Sequence, residues 1–460
     1  MNIFDIPLDI LKEIFEFSDF ITKIRFRQIC KYSYKNLHMI DFYNIGKKYL
    51  EKLTDDILKN YKFIKYLNTN DNVNIKDVSW MMNLKELYAT EELYSAQECG
   101  IAQNGIKGLD LIKLDAKNNS KIIDVSFMRN LKELNAKGRC GINQNKINGL
   151  NLIKFNADDN SKIKDVSFMS GLKELYACEN CGIDQNGING LDLIKLDVYG
   201  NRKIKNISWM KNLKELDADG NYGINQMGIK GLDLIKLNVY DNNKIKDVNW
   251  MINLKELIAS ENCGIDQNGI KELDLIKLEA FGNPKITNVS FMTSLKELYV
   301  DGKCRIDQNG IKGLDLIKLN VHDNIKIKDV SFMKNLKILY ACGDCGINQK
   351  GINGLDLIQL NVTNNLKIND VSFMNNLKIL YAYGNCGIDQ TGIQGLNLIK
   401  LTVYDNSKIK DVSFMTNLKK LYAGGNCGID QMGIKGLDLI KLDFNGNSKI
   451  NDISWMMNLK

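Results

Sequence analysis

The stretch "ACENCG" (177–182) sets Cys178 and Cys181 with two residues between them, and "ACGDCG" (341–346) does the same with Cys342 and Cys345. C-x-x-C is the spacing of a zinc knuckle or a dithiol redox centre, because two thiolates so placed can share a metal or close a disulfide. Other reactive side chains are sparse. Only His38 and His322 are present, which argues against a His-dependent triad or a His-rich metal site. No G-x-x-x-x-G-K-[ST] or G-x-G-x-x-G phosphate loop occurs between a strand and a helix; the glycines recur in "GI-GL" turns. No enzyme, cofactor or metal is therefore expected, provided the cysteine pairs have another explanation.

That explanation is periodicity. Cys99, Cys140, Cys181, Tyr222, Cys263, Cys304, Cys345, Cys386 and Cys427 follow one another at intervals of 41 residues without insertion or deletion. Each block holds two phrases of similar grammar, "LIKLDAKNNSKIIDVSFMRN" (111–130) and "LKELYACENCGIDQNGINGLD" (172–192), both L-x-x-L-x-A-x-x-N-x-x-I and both leucine-rich-repeat phrases. Ten units of the first kind start near Ile64 and at Leu111 to Leu439, and nine of the second run from Leu84 to Leu418. The block containing Leu84 carries six extra residues around "EELYSAQ". A tenth second-type unit stops after Leu459 and Lys460, so an uncapped and frayed last block is expected. Cys178 and Cys342 then fall in a variable column beside the regular one, and C-x-x-C is a coincidence of two columns. The pairs lie eight strands apart, about 40 Å, too far to share one metal.

Within L-x-x-L-x-A, alternation sends Leu114 and Ala116 inward and Lys113 and Asp115 outward, a short strand in a parallel stack. Nineteen such strands are expected. Asn119, Asn160, Asn201, Asn242, Asn283, Asn324, Asn365, Asn406 and Asn447 form one column, where a short amide can satisfy backbone groups leaving the strand. Ile122 and Val125 continue the core. Met128 and its counterparts, with Phe127 or a Trp before them, are expected to pack the outer wall. A coil of 20 or 21 residues leaves room there only for tight turns or one helical turn.

Composition fits a large folded chain: 460 residues, 44% hydrophobic, 25% charged, net charge +7. Abundant Asn, Lys and Ile with only Pro7 and Pro284 point to an AT-rich genome. No apolar run reaches membrane-span length, and Asp5, Asp9, Glu13 and Glu16 stand where a secretory leader would be basic and then apolar. A cytoplasmic or nuclear chain with eleven reduced cysteines is expected, with no membrane partner.

Before the repeats, Ile10, Leu11, Ile14 and Phe15 recur at helical spacing behind Pro7, and Ile21, Ile24, Ile29 and Cys30 follow on a second amphipathic pattern. Taken alone, this helical module could be a cap for the first repeat. "IPLDILKEIFEF" also resembles the opening of the F-box, and "FRQICK" its later L-x-x-V-C-[KR] segment, although Ser33 or Tyr34 stands where many F-boxes have Trp. Joined to these repeats, the chain resembles F-box leucine-rich-repeat proteins, in particular the Asn/Lys/Ile-rich ones of giant amoebal viruses.

The expected fold is therefore an α/β leucine-rich-repeat solenoid with a parallel concave sheet and short convex turns, preceded by a small helical F-box. Residues 1–46 would be the F-box-like domain, 47–61 a connecting or capping segment, and 62–460 the solenoid. The resemblance implies a non-catalytic substrate receptor of a cullin-RING ubiquitin ligase in a host cell. Pro7, Leu8, Ile10, Leu11, Ile14 and Phe15 would dock a Skp-type adaptor, with a cullin scaffold beyond it, and the solenoid would hold an unknown target protein. A binding or inhibitory scaffold without ligase recruitment is the alternative. Nucleic acid is not expected as a partner, because the Lys113 column faces the Glu133 column on neighbouring strands and the two neutralise each other.

The target is expected on the concave face, where the repeats differ most. Outward aromatics there are Tyr176, Tyr199, Tyr240, Phe281, Tyr299, Tyr340, Tyr381, Tyr404 and Tyr422, joined by His322. The convex side and the insertion at 91–98 are the other candidate surfaces.

Overall fold

The computed structural model describes residues 8–28, 35–92 and 98–459, the side chain of Asp9 excepted. Contacts divide the chain into two compact units, Met1–Asp217 with Tyr222–Ile224, and Ala218–Asn221 with Asn225–Lys460.

The first unit opens with helices α1 (Leu8–Phe17) and α2 (Phe20–Gln28). Asp19 separates them and starts α2, its carboxylate accepting from the Thr22 backbone N–H at 2.9 Å and from its hydroxyl at 2.6 Å. Strand β1 (Asp41–Phe42) follows, then two single-turn helices, α3 (Lys47–Leu50) and α4 (Asp55–Leu58). Phe42 is the hub of this module, meeting Phe20 edge-on at 5.3 Å and Tyr61 at 5.0 Å between ring centres. Strand β1 pairs in parallel with β2 (Tyr66–Asn68), the first repeat strand. The module thereby covers the apolar end of the stack that a solenoid must hide.

Repeat strands β3 (Glu86–Tyr88) to β9 (Glu215–Asp217) complete the first unit, and β10 (Lys236–Asn238) to β20 (Lys441–Asp443) make the second. Among the described residues this gives the nineteen repeat strands expected, each of three residues with its middle side chain turned inward. In β4 (Lys113–Asp115), Leu114 is buried, while Lys113 and Asp115 are half-buried on the outer side. Ala116, Ile122, Val125 and Met128 are fully buried and complete one layer of core.

The asparagine column is built into this core. Asn119 donates through Nδ2 to the carbonyls of Ala89 at 2.9 Å and Ile101 at 3.1 Å, and its Oδ1 accepts from the Lys121 N–H at 3.0 Å. Asn160, Asn283, Asn365 and Asn406 repeat the arrangement. One amide thus satisfies backbone groups that neither strand nor turn would reach.

A second ladder runs through the turns of the second-type coils. Gln185 Oε1 accepts from the Lys205 and Asn206 N–H groups, both at 2.9 Å, while its Nε2 donates to the Asn206 carbonyl at 2.8 Å. Gln144, Gln308 and Gln390 do the same in their blocks. At the start of the stack Asp55 of α4 substitutes, accepting from Lys76 and Asp77. Each second-type unit carries a short 3-10 turn such as Asn186–Ile188, and first-type units only tight turns. Gly187 allows the close approach there, since a Cβ would run into the Lys164 carbonyl oxygen.

Candidate functional site

The two C-x-x-C pairs are thiols packed inside the coils. Cys178, Cys181, Cys342 and Cys345 are buried and unbridged. Burial pushes Cys181 and Cys342 up to about 12 and Cys345 to about 11. Cys178 is raised by burial and then by the charges of Asp158 and Asp197, and its Sγ donates to Asp197 Oδ1 at 2.9 Å. A thiol held protonated is a poor ligand and a poor nucleophile. Among the described residues, no group of three His, Cys, Asp or Glu side chains could hold a metal ion. No helix among them is long and apolar enough to cross a membrane.

In the amino-terminal module, α1 divides its apolar residues between two sides. Leu11 and Phe15, one turn apart, are each only 4% exposed and form the module's own core. The expectation that they dock the adaptor is thus corrected, because side chains packed into the module's interior leave almost no surface for a partner. Ile10 and Ile14 are 47% and 43% exposed, Phe17 is 86% exposed, and Leu8 is half-buried. Phe17, missed in the sequence, extends the Ile10–Ile14 ridge at the i+7 position. Pro7 lies outside the described residues, as do Ile29, Cys30, Ser33 and Tyr34.

On the strand face of the first unit, Lys113 meets Glu133 at 3.2 Å, Lys154 meets Glu174 at 2.8 Å, and Lys195 meets Glu215 at 3.0 Å, each pair in register across adjacent strands. Tyr176 lies between Lys154 and Lys195, whose ammonium groups stand 5.5 and 5.8 Å from its ring centre. Tyr199, beyond the strand end, is well exposed.

In the second unit Lys236 continues the pattern with Glu256 at 3.2 Å, but Lys277 turns to Glu279 of its own strand at 2.7 Å. Tyr299 donates to Glu297 at 2.8 Å, and Phe281 meets its ring edge-on at 6.0 Å. Tyr340 accepts from Gln359 at 2.8 Å and Tyr381 from the Lys400 ammonium at 3.0 Å. Tyr383 and Tyr404 meet edge to face at 5.8 Å. Lys400 and Lys441 stand 5.3 and 5.4 Å from the ring centre of Tyr422. Tyr240 and His322 are exposed. The strand tyrosines are thus half-buried rings screened by lysines of neighbouring coils, and the more exposed side chains are Tyr199, Tyr240, His322 and Tyr383.

Two exposed columns lie outside the strand face. Phe127 and Trp250, both 36% exposed, and their equivalents cover the outer turns only in part. They pack against the outer wall as expected, with one side left to solvent, while Met128 and Met251 are fully buried. Ile112, Ile153, Ile276 and Ile399, at the strand entries, are also well exposed. This column was missed because "LIKL" looks uniformly like core.

Residues 3–44 match the model of the F-box domain. None of the curated proteins matches the chain. Among solved structures, the fold is similar to a TLR13–ssRNA13 complex chain, at 15% identity and TM-score 0.50 over 92% of this chain and 76% of that one. An internalin (inlF) of Listeria monocytogenes aligns at 16% identity and TM-score 0.33, over 73% of this chain and 88% of that one. The chain thus joins an amino-terminal F-box to a leucine-rich-repeat solenoid.

Proposed function

We propose that this chain is the substrate-recognition subunit of a cullin-RING ubiquitin ligase, its F-box docking a Skp-type adaptor and its repeats binding a target protein. The observation that carries the reading is the F-box match at residues 3–44 in one chain with a solenoid whose strand face bears irregular aromatic positions. Leu8, Ile10, Ile14 and Phe17 form the accessible part of α1 and are the proposed adaptor contact, with Pro7 preceding them. The proposed target surface comprises Tyr176 and Tyr199 in the first unit, and Tyr240, Phe281, Tyr299, His322, Tyr340, Tyr381, Tyr404 and Tyr422 in the second. Such a receptor does no chemistry. It raises the effective concentration of a target lysine near a charged ubiquitin carrier.

The proposed setting is the cytoplasm or nucleus of a host cell, a reading supported by the resemblance to giant-virus proteins. A second reading, a binding scaffold without ligase recruitment, is favoured by one observation: β1 extends the repeat sheet, so the module also works as a cap. Affinity purification separates the two. The intact chain should recover adaptor, cullin and target, and Ile10→Asp with Ile14→Asp should recover target alone. Recovery of adaptor and cullin by that variant would refute the F-box contact, and their absence with the intact chain would leave the scaffold.

A further inference from the structure

On the strand face, the leading outward position alternates Lys and Glu through Lys277, Glu297 and Lys318, and then the acids stop. Its next occupants are Ile338 in β15 (Ile338–Tyr340), Gln359 in β16 (Gln359–Asn361) and Ile379 in β17 (Ile379–Tyr381). Lys400 in β18 (Lys400–Thr402), Lys420 in β19 (Lys420–Tyr422) and Lys441 in β20 complete the series. Lys400 is in register with Lys420, and Lys420 with Lys441. Three like charges therefore face one another on adjacent strands, about 4.8 Å apart at the backbone, an arrangement that costs stability.

Among the described residues, no carboxylate forms an ion pair with any of the three. Lys400 touches only tyrosines, its Nζ 3.0 Å from the Tyr381 hydroxyl and over the rings of Tyr381 and Tyr422, and Lys441 lies over Tyr422. At the entry to β17 the same change recurs independently. Lys337 and Lys419 approach Asp356 and Asp438 at 3.8 and 3.9 Å, whereas Asn397 stands where Lys378 would find its acid. Asp443 is the one acidic residue in these six strands.

We propose that the outer face of β15–β20, centred on Lys400, Lys420 and Lys441, binds an extended acidic segment of a protein partner. Within the function proposed above, this segment belongs to the target, and the inference rests on that reading. Carboxylates laid across the row would supply the counter-charges that Glu133, Glu174, Glu215 and Glu256 supply elsewhere. Six strands span about 24 Å, which an extended segment of about eight residues covers. Nucleic acid fits less well. Base stacking needs open aromatic faces, and those of Tyr381 and Tyr422 are already covered by lysine ammonium groups.

The test is binding of the full chain to a fluorescein-labelled peptide of alternating Glu and Gly, about ten residues long, with oligouridine of similar length as competitor. The peptide should bind, and Lys400→Gln with Lys420→Gln and Lys441→Gln should weaken it by roughly tenfold or more. Lys113→Gln with Lys154→Gln and Lys195→Gln should leave it unchanged. Lys420→Glu, which restores the alternation, should abolish peptide binding and raise the unfolding midpoint of the free chain. Undiminished peptide binding in Lys420→Glu, a lowered midpoint, absence of peptide binding to the parent chain, or tighter binding of oligouridine would each overturn the proposal. Adaptor binding is measured on the same samples. Its loss would refute the ligase reading, whereas loss of peptide binding alone would refute only the site.

Discussion

Asn283 donates its side-chain amide to the carbonyl of Ala259, 24 residues earlier, at 2.8 Å, with both residues fully buried. The same amide reaches the Ile265 carbonyl at 3.1 Å, and Oδ1 accepts from the Lys285 N–H at 2.9 Å. Asn283→Ala removes the partner of three backbone groups, at about 1–3 kcal/mol for each buried group left unsatisfied. The expected result is a loss of at least about 2 kcal/mol in denaturant unfolding, with hydrogen exchange accelerating first at residues 259–285. Unchanged protection there would show that the column is dispensable.

The two sides of α1 predict opposite phenotypes. Leu11→Ala or Phe15→Ala opens a cavity in the module and should destabilise it by about 2–5 kcal/mol, losing adaptor indirectly. Ile10→Asp with Ile14→Asp should remove adaptor while circular dichroism and the unfolding midpoint stay within error, because both side chains face solvent. If the two classes behave alike, the assignment of sides is wrong.

The buried thiols predict an alkaline limit. Burial holds Cys140 at about 11 and Cys181 and Cys263 at about 12, above the ordinary thiol value of 9.0. A thiol whose folded pKa is raised keeps its proton where the unfolded chain has lost it. Its contribution is thus complete below pH 9 and disappears as pH climbs toward 11 to 12. Folding stability should fall across that window, and Cys181→Ala with Cys263→Ala should flatten the slope. In the native chain at pH 8 a thiol reagent should leave these cysteines unmodified, whereas the unfolded chain should titrate all eleven. Rapid native labelling of Cys181 would contradict the packing.

Gly187 predicts an intolerance to the smallest side chain. A methyl group would strike the Lys164 carbonyl oxygen, which belongs to backbone and cannot swing away. Gly187→Ala should cost about 1–3 kcal/mol, whereas Gly190→Ala, with open space around it but φ +76°, should cost only the strain of its backbone, about 1 kcal/mol. Equal losses in the two variants would contradict this account.

Alanine at Tyr240, Phe281 and Tyr340 should reduce target recovery without lowering adaptor binding, at a few kcal/mol at most for each true anchor. Full recovery of target would move the contact off this face.

What the sequence made legible follows from what repetition exposes. The positions of Leu114 and Ala116 are apolar in every block from Leu111 onward and Asn119 recurs in each, so their roles could be read from alternation and spacing before any coordinate. The Gln185 ladder repeats as strictly, but an amide in an Asn- and Gly-rich turn looks like ordinary solvent-facing polarity. Its partners, Lys205 and Asn206, lie one coil away and become visible only when the stacking register is known. Screening of Tyr176 by Lys154 and Lys195 was hidden for the same reason. In α1, helical spacing identified the apolar residues but not which of them turned inward, because that depends on α2 and β1, whose apolar pattern is weak.

The strictness of the 41-residue period has a consequence for inheritance. Strand pairing and the Asn and Gln ladders join each coil to the next through residues that recur in the following block, as Asn283 and Asn324 do within the second unit. Excising residues 276–316 in frame would set Ile317 where Ile276 stood, beside a coil of the same design. Recombination between homologous stretches of the coding sequence could therefore lengthen or shorten such a chain one block at a time without redesigning its interior. Variation would then accumulate at positions such as Phe281 and His322, which the ladders do not use.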